Sequence, residues 1–127
     1  EIIRLPPGVY SGKRNTGLVI SKHNVQLQGF GAAESVVWDA GESGRHLVIR
    51  EAAVKLANIT LTKGHAKFGG SMLVESRSSV TVTNARFTNN RGMLGGAVHV
   101  RSDSSLSFAN THFEQNTAQQ GGAIYAS

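Results

Sequence analysis

"FTNNRGMLGGAV" at 87–98 and "FEQNTAQQGGAI" at 113–124 are two versions of one pattern. Each runs Phe-x-x-Asn, four spacer residues, then Gly-Gly-Ala and a branched apolar residue. Gly69-Gly70 stands as far before Gly95-Gly96 as Gly121-Gly122 stands after it, and Phe87 and Phe113 are separated by that same distance. A fixed step of this length is the mark of a chain built from stacked, equivalent turns. The step aligns further columns: Val48, Val74, Val100 and Ala126; Val54, Val80 and Leu106; Leu56, Val82 and Phe108; Leu61, Phe87 and Phe113. A slightly longer step extends them backwards, setting Leu18-Val19-Ile20 on Leu47-Val48-Ile49 and Val25-x-Leu27 on Val54-x-Leu56.

Within a repeat the apolar residues alternate, as in Val80-Thr81-Val82-Thr83 and Leu106-Ser107-Phe108-Ala109. A period of two means strands with one face inward. No window offers a helical period between the Gly, Asn and Ser clusters that punctuate the chain. The expected fold is all-β, a right-handed parallel β-helix of about five coils with three short strands each. A β-sandwich also accounts for many short strands, but it predicts no register between repeats. Residues 1–127 read as a single β-helix domain, with regular 26-residue repeats from about residue 44 onward.

The repeated residues have physical roles in such a coil. Asn58, Asn84 and Asn110 fall where the chain must bend, and Asn tolerates the left-handed conformation a bend needs. Their amides are expected to form a ladder from coil to coil. That occupation would leave Asn58, in the only Asn-x-Ser/Thr sequon, unglycosylated. Phe87 and Phe113 fill the core, and Asn90 and Asn116 cap the exit of the strand into a wide turn. Gly95, Gly96, Gly121 and Gly122 allow positive φ and close backbone approach. His46 aligns, on the repeat step, with Met72, Val98 and Ile124, and is expected at a partly covered edge.

These motifs carry a resemblance. Phe-x-x-Asn with Gly-Gly-Ala-Ile/Val, complete at 87–98 and 113–124, resembles the repeat of the chlamydial polymorphic membrane proteins, an autotransporter-passenger family. Residues 61–72 depart from it, with Leu61 and Gly64 in place of Phe and Asn and Ser71 in place of Ala. The stretch Ile3–Tyr10 and "NVQLQGFG" at 24–31 is instead similar to the opening coils of pectin-lyase-like β-helices. The resemblance implies an extracellular or cell-surface location. Such solenoids host adhesins, structural proteins and carbohydrate-active enzymes alike, so function has to be argued from side chains.

The side chains narrow the classes. There is no cysteine, which excludes a disulfide framework and a thiolate metal site. No apolar run approaches ~18 residues, so no segment reads as a membrane-spanning helix. The net charge of +5 suits an anionic partner. Its cations are scattered, however, with Arg77 aligned to Asp103 and Arg86 to Thr60 and His112, so no basic stripe follows a nucleic acid. Glycosidases need paired carboxylates. The two aspartates, Asp39 and Asp103, belong to different turns. The histidines share no metal-ligand spacing, and no cofactor motif is present.

One outward patch remains. Glu75 lies under Arg101 and His99 under Tyr125, making a small polar and aromatic surface that is the candidate ligand site. The reading is therefore a non-catalytic structural or adhesive module of a large surface protein. A carbohydrate-binding or polysaccharide-active β-helix, with its site partly outside these residues, is the alternative. The partners expected are further coils of the parent chain or neighbouring subunits of a surface assembly, with an acidic glycan left open by the charge. The closing "GGAIYAS" starts a new coil, so the chain is expected to continue beyond Ser127.

Overall fold

Alternating apolar residues give strands such as Val80–Thr83 an inward face that their own coil cannot bury, and stacking resolves this. In the computed structural model, which describes residues 1–127, parallel sheets stack into a β-solenoid of about five turns. Coil 1 contributes β1 (Ile2–Leu5), β2 (Gly8–Tyr10) and β3 (Leu18–Ser21). Coil 2 contributes β4 (Val25–Gly29), β5 (Val36–Asp39) and β6 (Leu47–Arg50). Coil 3 contributes β7 (Ala53–Ala57), β8 (Thr60–Thr62) and β9 (Met72–Glu75). Coil 4 has β10 (Ser79–Thr83), β11 (Arg86–Thr88), β12 (Arg91–Leu94) and β13 (Val98–Val100). Coil 5 has β14 (Ser105–Ala109), β15 (His112–Glu114), β16 (Thr117–Gln120) and β17 (Ile124–Ala126).

Three five-stranded sheets run the length of the stack: β1-β4-β7-β10-β14, β2-β5-β8-β11-β15 and β3-β6-β9-β13-β17. Three strands per coil therefore holds for coils 1–3. Coils 4 and 5 add a fourth strand each, β12 and β16, which pair in the spacer between Asn and Gly-Gly. Single bridges, His65 to Arg91 and Phe68 to Leu94, extend this strip to coil 3.

From coil 3 to coil 5 one step serves all three long sheets: Val54 pairs with Val80 and Val80 with Leu106, Leu61 with Phe87 and Phe87 with Phe113, Met72 with Val98 and Val98 with Ile124. Between coils 2 and 3 that step fails. Leu47 pairs with Met72, Val48 with Leu73 and Ile49 with Val74, one residue short of the repeat in the third sheet. This corrects two expectations. Val48 belongs with Leu73, His99 and Tyr125 on the outer face, and Ile49 takes its place in the Val74, Val100 and Ala126 column. His46 precedes Leu47 as Ser71 precedes Met72, and it is fully buried instead of lying at an edge. A one-residue slip moves a side chain to the other face.

The core is continuous from Val25 to Val100. At its centre Phe87, on β11, is 0 % exposed and stacks on Phe113 of β15, with centroids 5.0 Å apart and planes at 7°. Phe108 of β14 meets both rings edge-on. Phe113 itself is half-buried, since coil 5 is covered on one side only. The two positions therefore differ in energy although the motif is the same. Phe87→Ala is expected to cost about 3–5 kcal/mol by lost burial and cavity formation, and Phe113→Ala clearly less. Urea denaturation of both variants checks this; equal losses would mean that burial does not set the cost.

Candidate functional site

Asn58, Asn84 and Asn110 turn the corner from the first sheet into the second, with φ of 58°, 49° and 49°. They do not bond to one another. Asn58 donates to the Gly29 carbonyl at 3.3 Å, while Asn84 and Asn110 are exposed. The amide ladder expected there lies instead at the Asn of Phe-x-x-Asn. Asn90 is 0 % exposed. Its Oδ1 accepts the Gly64 N–H at 2.7 Å, and its Nδ2 donates to the Leu61 carbonyl and to Asn116 Oδ1, both at 3.1 Å. Asn116 repeats the arrangement, donating to the Phe87 carbonyl at 2.9 Å and accepting the Asn90 N–H at 3.0 Å. The physical reason is burial. A corner in left-handed conformation points its side chain to water, whereas the residue after the second bend points into the gap between sheets, where backbone groups have no strand partner.

Gly-Gly closes the coil. Gly95 has φ of 79°, a region that disfavours a side chain. At Gly96 a Cβ would run into the carbonyl oxygen of Gly122 in the next coil. The first glycine permits the turn, and the second permits the approach.

The outer face of the third sheet brings together the four candidate ligand residues and closes over them. Glu75 accepts from Arg50 Nε at 2.6 Å and forms an ion pair with Arg101 Nε at 3.2 Å, so a carboxylate in coil 3 is clamped from coils 2 and 4. His99 is 3 % exposed. It lies between the edges of Phe68 and Tyr125, with centroids at 5.7 and 5.1 Å, and its Nε2 meets Ser127 Oγ at 3.0 Å. Burial first, then the neighbouring Arg101 and Arg45, hold His99 below its ordinary range, with Glu75 opposing. Arg45 pins the Phe68 segment over this face, donating to the Phe68 carbonyl at 2.6 Å and the Gly69 carbonyl at 3.3 Å. The Arg101 guanidinium lies over the Phe68 ring, 5.7 Å from its centroid. Glu75, Arg50, Arg101 and Phe68 engage one another as a clamp between coils, while His99 Nδ1 is buried without a hydrogen-bond partner.

A second buried pair has the composition of a nucleophile and its base. Ser71 Oγ lies 2.8 Å from His46 Nδ1, and both residues are 0 % exposed. His46 Nε2 faces two carbonyl oxygens, Trp38 at 2.9 Å and Thr62 at 3.0 Å. Carbonyls only accept, so Nε2 carries the proton, Nδ1 accepts, and Ser71 donates. The pair staples the second sheet to the third across coils 2 and 3. Burial pushes the imidazole down to about 4, against the pull of the carbonyls and of Asp39. Elsewhere, no three His, Asp or Glu side chains converge.

With this geometry in place, comparison with known proteins bears on coil 5. Residues 110–127 match the Chlamydia polymorphic membrane protein repeat. The matched stretch takes in Phe113 and Asn116, and Gly121 and Gly122, which have φ of 84° and 50°. Its counterpart at 84–101 has the same fold, strand for strand. No curated protein and no solved structure gives a significant match.

The residues that sequence reasoning left aside are those of the strip formed by β12, β16 and 65–68, which line a surface recess. The signal was present in the same repeat step, but spread over two columns, neither uniform in type, with a column of small residues between them.

Two outcomes follow from these contacts. Asn90→Ala strips a buried N–H and a buried carbonyl of their partners and is expected to cost about 2–3 kcal/mol, against 1 kcal/mol or less, roughly, for exposed Asn84→Ala; the reverse order would return the ladder to the corner. For His46, the folded imidazole titrates near 4 and the unfolded one near its ordinary 6.5. The unfolded state thus binds more protons between these values, so stability is complete above the upper one and falls by roughly 3 kcal/mol towards the lower. An NMR titration of the His46 ring in the folded chain is expected to show a midpoint near 4, and a midpoint at the ordinary value would mean the staple is open to water.

Proposed function

We propose that the chain is a non-catalytic structural or adhesive module of a large extracellular or cell-surface protein. The observation that carries the reading is the match of residues 110–127 to a surface-protein repeat, sitting in a stack whose three sheets run without interruption through all five coils. A stack of this kind is a rigid rod: each coil contacts its neighbours, and length is added without changing the cross-section. Surface proteins use such rods to hold binding elements away from the membrane, and the parent chain or neighbouring subunits supply the contacts at either end.

Absence of catalysis is part of the proposal. Asp39 ends β5 in coil 2 and accepts the Gly41 N–H at 2.8 Å, whereas Asp103 lies in the turn before β14 in coil 5. Three coil spacings of about 4.8 Å put them beyond the ~5–9.5 Å at which two carboxylates share a glycosidic bond. Glu75, the acid best placed among the outward residues, is neutralised by two arginines. Antibodies raised against this chain are expected to label intact, unpermeabilised cells that make the parent protein; labelling only after permeabilisation would refute the location. Incubation with pectic and other plant or bacterial polysaccharides is expected to release no more reducing ends than a heat-denatured sample. Cleavage above that background would overturn the non-catalytic half.

A further inference from the structure

The strip between the second and third sheets has a shape that the clamp lacks. His65, Arg91 and Thr117 stand in one row and Lys67, Met93 and Gln119 in the next, all six exposed. Between the rows Ala66, Gly92 and Ala118 turn inward, so the backbone there forms a floor. Two rows of long side chains, roughly 7 Å apart, therefore flank a trough that crosses three coils at about 4.8 Å each. It encloses about 730 Å³, in the range of small-ligand sites.

The lining is one-sided in charge. Lys67 and Arg91 line the coil 3 and coil 4 end from opposite rows, with His65 paired beside Arg91 and Lys67 Nζ also 5.3 Å from the Phe68 ring centroid, and no carboxylate lines the trough. The ion pairs of the molecule use Arg50, Arg86 and Arg101, so neither Lys67 nor Arg91 is neutralised. The coil 5 end is neutral, with the Thr117 hydroxyl and the Gln119 amide offering donors and acceptors. Met93, 41 % exposed, supplies an apolar contact between them. The floor is already paired: Ala66 N–H bonds the Arg91 carbonyl at 3.1 Å, Met93 N–H the Lys67 carbonyl at 3.0 Å and Thr117 N–H the Asn90 carbonyl at 2.9 Å.

We propose that this trough binds an acidic saccharide, with its carboxylate or sulfate against Arg91 and Lys67 and its hydroxyls against Thr117 and Gln119. An anion at one end, many hydroxyls and a C–H face for Met93 are what the lining complements. An acidic peptide fits less well. It would gain no backbone pairing from a floor whose N–H groups are used, and it would find no apolar pocket for a side chain. A nucleic acid would need a longer basic track than two cations. The proposal stands on the trough alone and does not require the chain to sit on a cell surface.

The test is an NMR titration of the isotope-labelled 127-residue chain at low ionic strength. The probes are trigalacturonate, a heparin-derived tetrasaccharide, maltotriose and a glutamate-rich peptide. Saturable shifts are expected at amides 65–67, 91–93 and 117–119 with one or both acidic saccharides, and the tighter of the two tells carboxylate from sulfate. Replacing Lys67 and Arg91 together by Ala removes two charge-assisted contacts from an exposed surface and is expected to weaken binding about tenfold or more. Lys55→Ala, on the first sheet, leaves it unchanged, and Met93→Lys, adding a cation to the same wall, tightens it. The proposal is overturned if neither acidic saccharide shifts those amides, if maltotriose binds as tightly, if the peptide binds while the saccharides do not, or if the double variant binds like the parent.

Discussion

Each coil of this molecule must return beneath itself after rising by one strand spacing, about 4.8 Å. Nearly every unusual residue choice follows from that small height. The short strands β8, β11 and β15 are entered through left-handed residues at 58, 84 and 110 and left through left-handed residues at 63, 89 and 115. Two such corners so close together leave backbone groups facing inward without a strand to pair with. Asn90 and Asn116 satisfy them from the side chain. Where coils 3 and 4 cross into the third sheet, a Cβ at Gly70 or Gly96 would run into the backbone of the next coil, and glycine is required. The apolar core can then be assembled from ordinary Val, Leu, Ile and Phe.

Several of these features could be read from the letters. Val80-Thr81-Val82-Thr83 alternates openly, and Phe87 and Phe113 share a type and a spacing, so strand, face and register were determined together. The register in coil 2 was harder, because Leu47-Val48-Ile49 and Met72-Leu73-Val74 are apolar on both faces. Without a polar residue to mark the outside, pairing Val48 with Leu73 or with Val74 fits equally well, and the partly covered edge expected for His46 follows from the second of these. The second left-handed corner was invisible for a different reason. Lys63, Asn89 and Gln115 share a conformation imposed by the coil and no side-chain chemistry. The Asn columns at 84 and 90 were both noticed, but identity alone does not say which amide is buried.

The candidate site follows the same division. That Glu75 meets Arg101, and His99 meets Tyr125, is a matter of register and was readable. That Arg50, Arg45 and Phe68 then close the patch is a matter of a one-residue offset and of a segment folding back, and was not. The consequence is an allocation of charge. Glu75 holds two arginines, Arg86 is shared between Glu34 and Glu114, and Arg45 is spent on two carbonyls. Lys67, whose ammonium rests over the Phe68 ring, and Arg91 make no ion pair, as is true of most other cations of the chain, but these two share the strip that only coils 3 to 5 build.

The offsets between coils carry an implication for how such a chain changes length. From coil 3 to coil 5 all three long sheets advance by one and the same step. A duplication or deletion of one such unit keeps every ladder, every buried amide and every glycine crossing in phase. Between coils 1 and 2 the sheets advance unequally, as Ile3 pairs with Leu27, Val9 with Val37 and Leu18 with Leu47. Between coils 2 and 3 they differ again, as Val25 pairs with Val54, Val37 with Thr60 and Leu47 with Met72. An excision there keeps all three sheets only if it removes one whole coil with its connections, because the unequal advances are taken up by connections of different length. Recombination between repeats can therefore lengthen or shorten the regular portion freely, while the irregular coils can only be inherited whole.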